Sequence, residues 1–309
     1  MKVGIIGQGA IGSLFAYYYR HESPTLLVKG LSKAPKKLLT LEGIQVDLDF
    51  QTMKVTQANN SDDSTEHFDA IIIAVKGYQM ETLITQLIPW VPVNTRLVLI
   101  QNGMGGAQLL AKAFPRNRIY TGTTTDAVYG IDEFTYKITS MGKLDIGPLW
   151  LMSSCEWYTP KIIDAIKEKM WAEAFFSCHP NYEYHEDIAP ALFTKLGINA
   201  VINPLTATLQ IRNGQLCEHP DQVKTLKIEI FKVYSAINVS YSKKALSKAI
   251  DDVIAATSNN WSSMQQDVEH HRPTENETVL GYLLSLAKQY ELKTPLMKKL
   301  YMQLKELDQ

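Results

Sequence analysis

The sequence predicts an α/β chain in which a doubly wound, mostly parallel sheet is followed by a second, all-α domain. Three observations carry this prediction. In the first half, short and almost wholly apolar runs alternate with amphipathic segments. A glycine-rich turn, Gly7-Gln8-Gly9-Ala10-Ile11-Gly12, follows the first of those runs at once. From about Asp187 onward the strand signals stop and helical spacing takes over.

Lys2 to Ile6 has the length and character of a buried strand, and Ala10 to Arg20 reads as the helix after it. Thr25 to Lys29 is a second strand. Phe68 to Val75 (FDAIIIAV) is nearly all apolar, as a strand covered on both faces must be. Tyr78 to Leu87 is helical, and Arg96 to Gln101 is another buried strand. Residues 116–150 alternate polar and β-branched runs, with Gly130 and Gly147-Pro148 as turn signals. They predict antiparallel strands that close the first sheet, followed by a helix from Pro160 to Trp171. Helical spacing then covers Ala189 to Thr208, Pro220 to Ser240, Ser242 to Thr257, Glu275 to Tyr290 and Pro295 to Leu307. The boundary is expected in the polar stretch His179 to Asp187, giving domains of residues 1–186 and 187–309.

A length of 309 residues suits two cores, and 45% hydrophobic with 20% charged residues is ordinary for a globular chain. The net charge of -1 and scattered lysines argue against a nucleic-acid partner. No apolar run reaches the ~20 residues needed to cross a bilayer. Val3 to Ile6 is too short for a signal peptide's apolar region. The expectation is a cytoplasmic protein with no membrane contact. Cys155, Cys178 and Cys217 are widely spaced and form neither a metal motif nor a disulfide framework.

The turn GQGAIG, placed between a strand and a helix, is the pyrophosphate-binding signature of a Rossmann-like domain. Glycine permits the tight turn, and the helix N-terminus offers free N–H donors to phosphate. The end of the second strand reads the adenosine ribose in such domains. Here it runs Leu27-Val28-Lys29-Gly30-Leu31-Ser32-Lys33, with no carboxylate and with Lys29 at the tip, which favours NADP over NAD. Lys76 and Asn102 also follow apolar strands, at the edge where such sheets take ligands. For Asn102 a simple turn role beside Gly103 is the competing reading.

In the helical half, Lys195, Asn199 and Asn203 fall at i, i+4 and i+8 on an otherwise apolar helix and form one polar stripe. A buried stripe of this kind needs partners, supplied either by a ligand or by an internal network. Reduction of a ketone by hydride places negative charge on oxygen, and a lysine can both stabilise and protonate it. Ser262 and Ser263 can each bond a carboxylate or cap a helix. Thr274 and Glu275 can likewise be a helix cap and its first-turn acid.

At these residues the chain resembles the ketopantoate reductases (2-dehydropantoate 2-reductases). The matches run in order along nearly the whole chain: GQGAIG, VKGYQ, QNGMG, GTTTDA, KLGINAVINPLTA, RNGQL, SSMQQD and RPTE. The resemblance implies NADPH-dependent reduction of 2-dehydropantoate to (R)-pantoate, a step toward pantothenate and coenzyme A. It places the proton donor on Lys195. Substrate contacts fall on Asn102, Asn199, Asn203, Asn213, Asn260 and Ser263. Glu275 falls near the substrate hydroxyl and the nicotinamide. Cofactor contacts fall on Gly7 to Gly12, Lys29 at the 2′-phosphate, Lys76, Asn102 and the backbone near Val128. Two departures stand out: Phe193 where the family usually has tryptophan, and Asn276-Glu277 where it tends to Ile-Asp.

Two other functions remain open to the sequence. One is a related D-2-hydroxy acid dehydrogenase that reduces another 2-keto acid, branched or aromatic, with NADH. The other is an NADP-binding sensor without turnover. The last helix, Pro295 to Leu307, can pack internally or across a homodimer.

Overall fold

In the computed structural model, the described residues are 1–7, 9–22, 25–29, 38–41, 44–47, 49–53, 68–89, 91–131, 135–149 and 165–308; for residues 26–53 the description covers the backbone. They fall into two compact units. The first comprises Met1–Gln101 and Gly106–Ile188, and the second comprises Asn102–Gly105 and Ala189–Gln309.

The first unit is built on β1 (Val3–Ile6), α1 (Ala10–Tyr18), β2 (Thr25–Lys29), β3 (Leu38–Leu41), β4 (Ile44–Asp47) and β5 (Asp49–Met53). It continues with β6 (Ala70–Ile73), α2 (Met80–Leu87), β7 (Arg96–Ile100), α3 (Gly106–Ala113) and β8 (Ile119–Thr124). Then come β9 (Ala127–Gly130), β10 (Thr135–Ser140), β11 (Leu144–Pro148), α4 (Ala165–Phe176) and β12 (Tyr182–Tyr184). Among the described residues an eight-stranded sheet has the order β12-β11-β8-β7-β6-β1-β2-β5. Its run from β8 to β5 is parallel throughout. Every residue of β1 and β6 is buried, because helices and loops cover both faces. In α2 the buried residues Met80, Leu83, Ile84 and Leu87 recur at helical spacing, so one apolar stripe faces the sheet.

Residues 116–150 depart from the expected arrangement. Only β11 runs antiparallel to β8, whereas β8 itself continues the parallel sheet beside β7. The β9–β10 hairpin leaves the main sheet and joins β3 and β4 in a second sheet, ordered β4-β3-β10-β9. The helix expected over Pro160 to Trp171 is α4, which extends to Phe176; residues 151–164 lie outside the described residues. The aromatic face of α4 explains its extent. Trp171, Phe175 and Phe176 pack on Tyr120 and Tyr19 of the sheet unit. Glu168, nearly fully buried on α4, takes two bonds from Arg96 (2.9 and 2.8 Å), one from the Tyr120 hydroxyl (3.1 Å) and an ion pair with Arg118 (3.0 Å). Such charge-assisted bonds tolerate burial because both carboxylate oxygens find donors.

The stretch His179 to Asp187 contains β12, which pairs parallel with β11, rather than serving only as a connection. A three-residue strand is too short to leave a periodic signal. Before it lies a buried hydrogen-bonded histidine–aspartate pair that the sequence does not announce. His179 Nε2 lies 2.7 Å from Asp126 Oδ2, and both side chains are fully buried. The Asn181 N–H donates to His179 Nδ1 (3.1 Å), so the ring proton sits on Nε2 and faces Asp126. Asp126 also accepts from the Thr124 hydroxyl (2.5 Å) and the Gly142 N–H (2.8 Å). Burial alone would raise the Asp126 carboxyl; the bonds from His179, Thr124 and Gly142 outweigh it and hold the group below the ordinary carboxylate value.

The second unit contains α5 (Ala189–Leu209), α6 (Pro220–Ala236), α7 (Lys243–Ala256), α8 (Ser263–Glu269), α9 (Tyr282–Gln289) and α10 (Pro295–Leu307). Its described residues from 189 onward carry no strand. The helix expected over Glu275 to Tyr290 is a π-helical turn, Glu277–Gly281, that runs into α9. No helix among the described residues is long and apolar enough to cross a membrane.

Because Asp126 is depressed in the folded state, its stabilisation is present above the unfolded value and is lost as pH falls through the folded one, below about 4. Urea unfolding followed across pH is expected to show that acid limb. Asp126→Ala should lower stability by about 3 kcal/mol at neutral pH and flatten the limb, since it orphans the buried His179 and Thr124 donors and the half-buried Gly142 N–H.

Candidate active site

β1 and β6 are neighbours while β2 lies on the other side of β1, so the strand order reverses at β1/β6. In an open α/β sheet the carboxyl ends of such strands form the ligand crevice. Three glycines arrive there, and their surroundings differ. Gly7 has φ +115°, and an added Cβ would lie 2.3 Å from the Ala74 carbonyl oxygen at the end of β6. At Gly12 an added Cβ would lie 1.9 Å from the Gly7 carbonyl oxygen, so the first turn of α1 rests directly on the loop. Gly9 is the opposite case: no atom lies within 4 Å of an added Cβ. The described protein therefore leaves open space beside Gly9, at the start of α1.

Gly9 is the N-cap of α1 and supplies no side-chain cap, and the first helical bond runs from Ser13 N to Gly9 O (2.9 Å). The N–H groups of Ala10, Ile11 and Gly12 therefore lack helical acceptors. The turn thus fits a dinucleotide pyrophosphate, and Gln8 lies outside the described residues.

The neighbouring strand ends are tied together. Ala74 N donates to Ile6 O (2.8 Å), and the Gln101 amide donates to Val75 O (2.9 Å). The Lys76 N–H donates to Gln79 Oε1 (3.0 Å), which starts the short helical turn after β6 and leaves the Lys76 side chain half-buried. Lys29 ends β2, opposite Met53 of β5, at the same carboxyl edge. Val128 lies in β9, on the second sheet, half-buried against the core beneath α1. Of the thiols, Cys178 is pushed up to about 11 by burial, which makes it a poor nucleophile, and Cys217 is exposed; Cys155 is outside the described residues.

In the second unit the polar stripe is seated on α5. Lys195, Asn199 and Asn203 are each half-buried, while Leu192, Leu196, Ala200, Val201 and Leu205 are buried around them. The helix is held closely at this level. Tyr234 donates to Phe193 O (2.6 Å), and an added Cβ at Gly197 would lie 3.3 Å from the same hydroxyl. Pro204 denies the Ala200 carbonyl its helical donor, and the Thr206 and Thr208 hydroxyls bond the carbonyls of Ile202 and Pro204 (both 2.8 Å).

The two serines divide between the two roles. Ser262 caps α8 by accepting from Gln265 N (3.1 Å) and bonds the Thr206 hydroxyl (2.7 Å). Ser263, the first residue of α8, is exposed. Asn260 is exposed, and its carbonyl accepts from Asn213 N (3.0 Å). Asn213 itself is buried. Its amide nitrogen donates to the Thr257 hydroxyl (2.8 Å), while its Oδ1 finds no hydrogen-bond partner among the described residues. The Asn213 side chain thus fastens the turn after α5 to the end of α7.

Glu275 is buried, unlike a solvated first-turn acid, and its Oε2 lies 3.4 Å from Asn102 Nδ2. The turn Asn102–Gly105 reaches it through two close contacts. Met104 N donates to Thr278 O (2.8 Å), and Gly103, at φ +76°, would place a Cβ 2.6 Å from that oxygen. Asn102 is therefore more than a turn residue: glycines on its far side bring its amide to the carboxylate. Sequence reasoning missed the Asn213–Thr257 bond and the Asp126–His179 pair, because each joins residues far apart in the chain.

Comparison with known proteins adds a family. The description "Ketopantoate reductase PanE/ApbA" matches residues 3–150, and "Ketopantoate reductase PanE/ApbA C terminal" matches residues 187–308. The 2-dehydropantoate 2-reductase of Vibrio cholerae serotype O1 is 28% identical over 312 residues, covering 100% of this chain and 98% of the relative. A probable 2-dehydropantoate 2-reductase from Bacillus subtilis has a crystal structure that superposes with a TM-score of 0.74 at 25% identity, covering 99% of this chain and 100% of that one. D-mandelate dehydrogenase, in a ternary complex with NADH and anilino(oxo)acetate, superposes with a TM-score of 0.81 at 19% identity over 100% of this chain and 98% of its own, a likeness of fold.

The glycine contacts separate two kinds of defect. Gly9→Ala should fold with an unchanged urea midpoint yet weaken binding of a reduced nicotinamide dinucleotide by about tenfold or more, read by fluorescence titration. Gly12→Ala should instead lower the urea midpoint, because its Cβ meets backbone rather than a movable side chain.

Proposed function

The chain belongs to the ketopantoate reductase family, and from that premise we propose that it reduces 2-dehydropantoate to (R)-pantoate with NADPH. The observation that carries this reading is the set of half-buried Lys195, Asn199 and Asn203 on α5, in the same unit as the Asn102–Glu275 pair. Together they supply a cation, neutral amides and a carboxylate, the groups needed to hold a small keto acid and to manage one proton.

The nicotinamide, when bound, supplies hydride to the C2 carbonyl carbon. The developing oxyanion is stabilised by the Lys195 ammonium, which then delivers a proton to that oxygen, so ketone becomes alcohol and NADPH becomes NADP⁺. Asn199, Asn203, Asn260 and Ser263 orient the substrate carboxylate and hydroxyl without adding charge. Asn213 contributes by fixing the turn that presents Asn260. Glu275 accepts from the substrate hydroxyl and from Asn102. Gly7 to Gly12 would hold the cofactor's pyrophosphate, with Lys76 as a further contact. NADPH is favoured over NADH because β2 ends in Lys29 and residues 27–33 contain no carboxylate for a ribose 2′-hydroxyl.

Lys195→Ala is expected to lower kcat by about 10²-fold or more with the fold intact, the scale of a lost general acid. Near-normal turnover in that variant would refute the assigned donor. Steady-state rates with 2-dehydropantoate, 2-ketoisovalerate and phenylglyoxylate, each with NADPH and with NADH, test the substrate. The expected outcome is a preference for the first keto acid and for NADPH. A better than tenfold preference for either other acid would assign the chain to a different 2-hydroxy acid, and binding of cofactor with no oxidation across the panel would make it a sensor.

A further inference from the structure

Glu275 stands between residues that all bond to one helix. On its N-terminal side, the Thr274 N–H and hydroxyl both donate to the carboxylate of Asp308, the residue that ends α10 (3.1 and 2.8 Å). On its C-terminal side, the Asn276 amide donates to the Tyr301 carbonyl of α10 (2.9 Å), and the Asn276 N–H closes back on the Thr274 hydroxyl (3.3 Å). One residue further, Glu277 Oε1 accepts from the Tyr301 hydroxyl (2.5 Å). That carboxylate pushes the Tyr301 phenol up to about 12.

Two details bear on the role of this arrangement. Asn276 is buried, and its Oδ1 has no hydrogen-bond partner among the described residues. An apolar side chain would fill that space without orphaning an oxygen, so what the asparagine adds is the directed bond to α10. The segment also opens into a π-helical turn, Glu277–Gly281, a geometry that recurs at functional sites. Gly281 leaves room for Glu277 to lie along that turn, since an added Cβ would sit 2.7 Å from Glu277 Oε2. At 3.4 Å the Glu275–Asn102 bond is near its limit, so a small shift of the Glu275 backbone would break it.

We propose that the end of α10 is a brace for Glu275, with Thr274, Asn276 and Glu277 as positioning residues that transmit its hold. The inference rests on the reading of Glu275 as a catalytic group. It is tested with Asn276→Leu and Asp308→Ala, each made alone and in a Glu275→Gln background. Asp308 is exposed, so its variant keeps the fold even if the buried substitution does not.

Each single variant is expected to lower kcat for 2-dehydropantoate by about tenfold, the scale of a misplaced catalytic group, and to leave the Kd for NADPH unchanged. In the Glu275→Gln background neither should cost anything further, because the group being positioned is already gone. Unchanged kcat in Asp308→Ala, or an equal loss in both backgrounds, overturns the brace while leaving the role of Glu275 standing. Normal turnover in Glu275→Gln alone overturns the catalytic reading, and the brace with it.

Discussion

Backbone against backbone is the constraint on which the cofactor end is built. Gly7 passes the Ala74 carbonyl at a distance that leaves no room for a Cβ, and Gly12 rests on the Gly7 carbonyl in the same way. These contacts make β1 turn directly into α1 beside the end of β6. They place the uncapped N–H groups of Ala10, Ile11 and Gly12 over the point where strand order reverses. The burial of β1 and β6 on both faces supplies the rigidity, because neither strand can shift without disturbing a close-packed interior. The exposed helix N-terminus is thus a by-product of how closely two main chains approach.

The second unit solves a different problem. Its half-buried polar groups must stay where apolar packing puts them, on a helix interrupted by proline. α5 manages this by being fixed from its apolar side, through Tyr234 on Phe193 and through the serine–threonine bond between Ser262 and Thr206. The groups that hold position are therefore neighbours in sequence of those assigned to substrate: the Phe193 carbonyl precedes Lys195, the Thr206 hydroxyl follows Asn203, and the Ser262 hydroxyl precedes Ser263. A polar residue that is fully bonded inside the protein has little left for a ligand, and Ser262 shows that state.

Sequence patterning read the elements whose signal is local. The apolar run FDAIIIAV, the glycine turn and the helical spacing of α5 and α6 each follow from neighbours within one or two turns of chain. The stripe Lys195, Asn199 and Asn203 was legible for the same reason, since helical geometry alone places its members on one face. The second sheet was not, because β3, β4 and the β9–β10 hairpin are short and their pairing joins segments nearly a hundred residues apart. The direction of β8 was misread because a strand's residues do not record which way its neighbour runs. Glu275 could be read as a solvated first-turn acid until its burial and its bond to Asn102 excluded that role. Asn276, an unexplained departure in the chain's pattern, makes physical sense only beside α10.

The turn Asn102–Gly105 belongs with the helical unit although the chain on both sides of it belongs with the sheet. Sequence continuity and structural membership therefore part company at that point. The two halves are interleaved, not strung end to end, and a cut at Ile188 would not divide them cleanly. It would carry Gly103 and Met104 away with the sheet and strip Thr278 of its main-chain partner. A gene segment ending there is not a transferable module. Any exchange of the helical half between related enzymes must bring a matching four-residue insert from the other half of the chain.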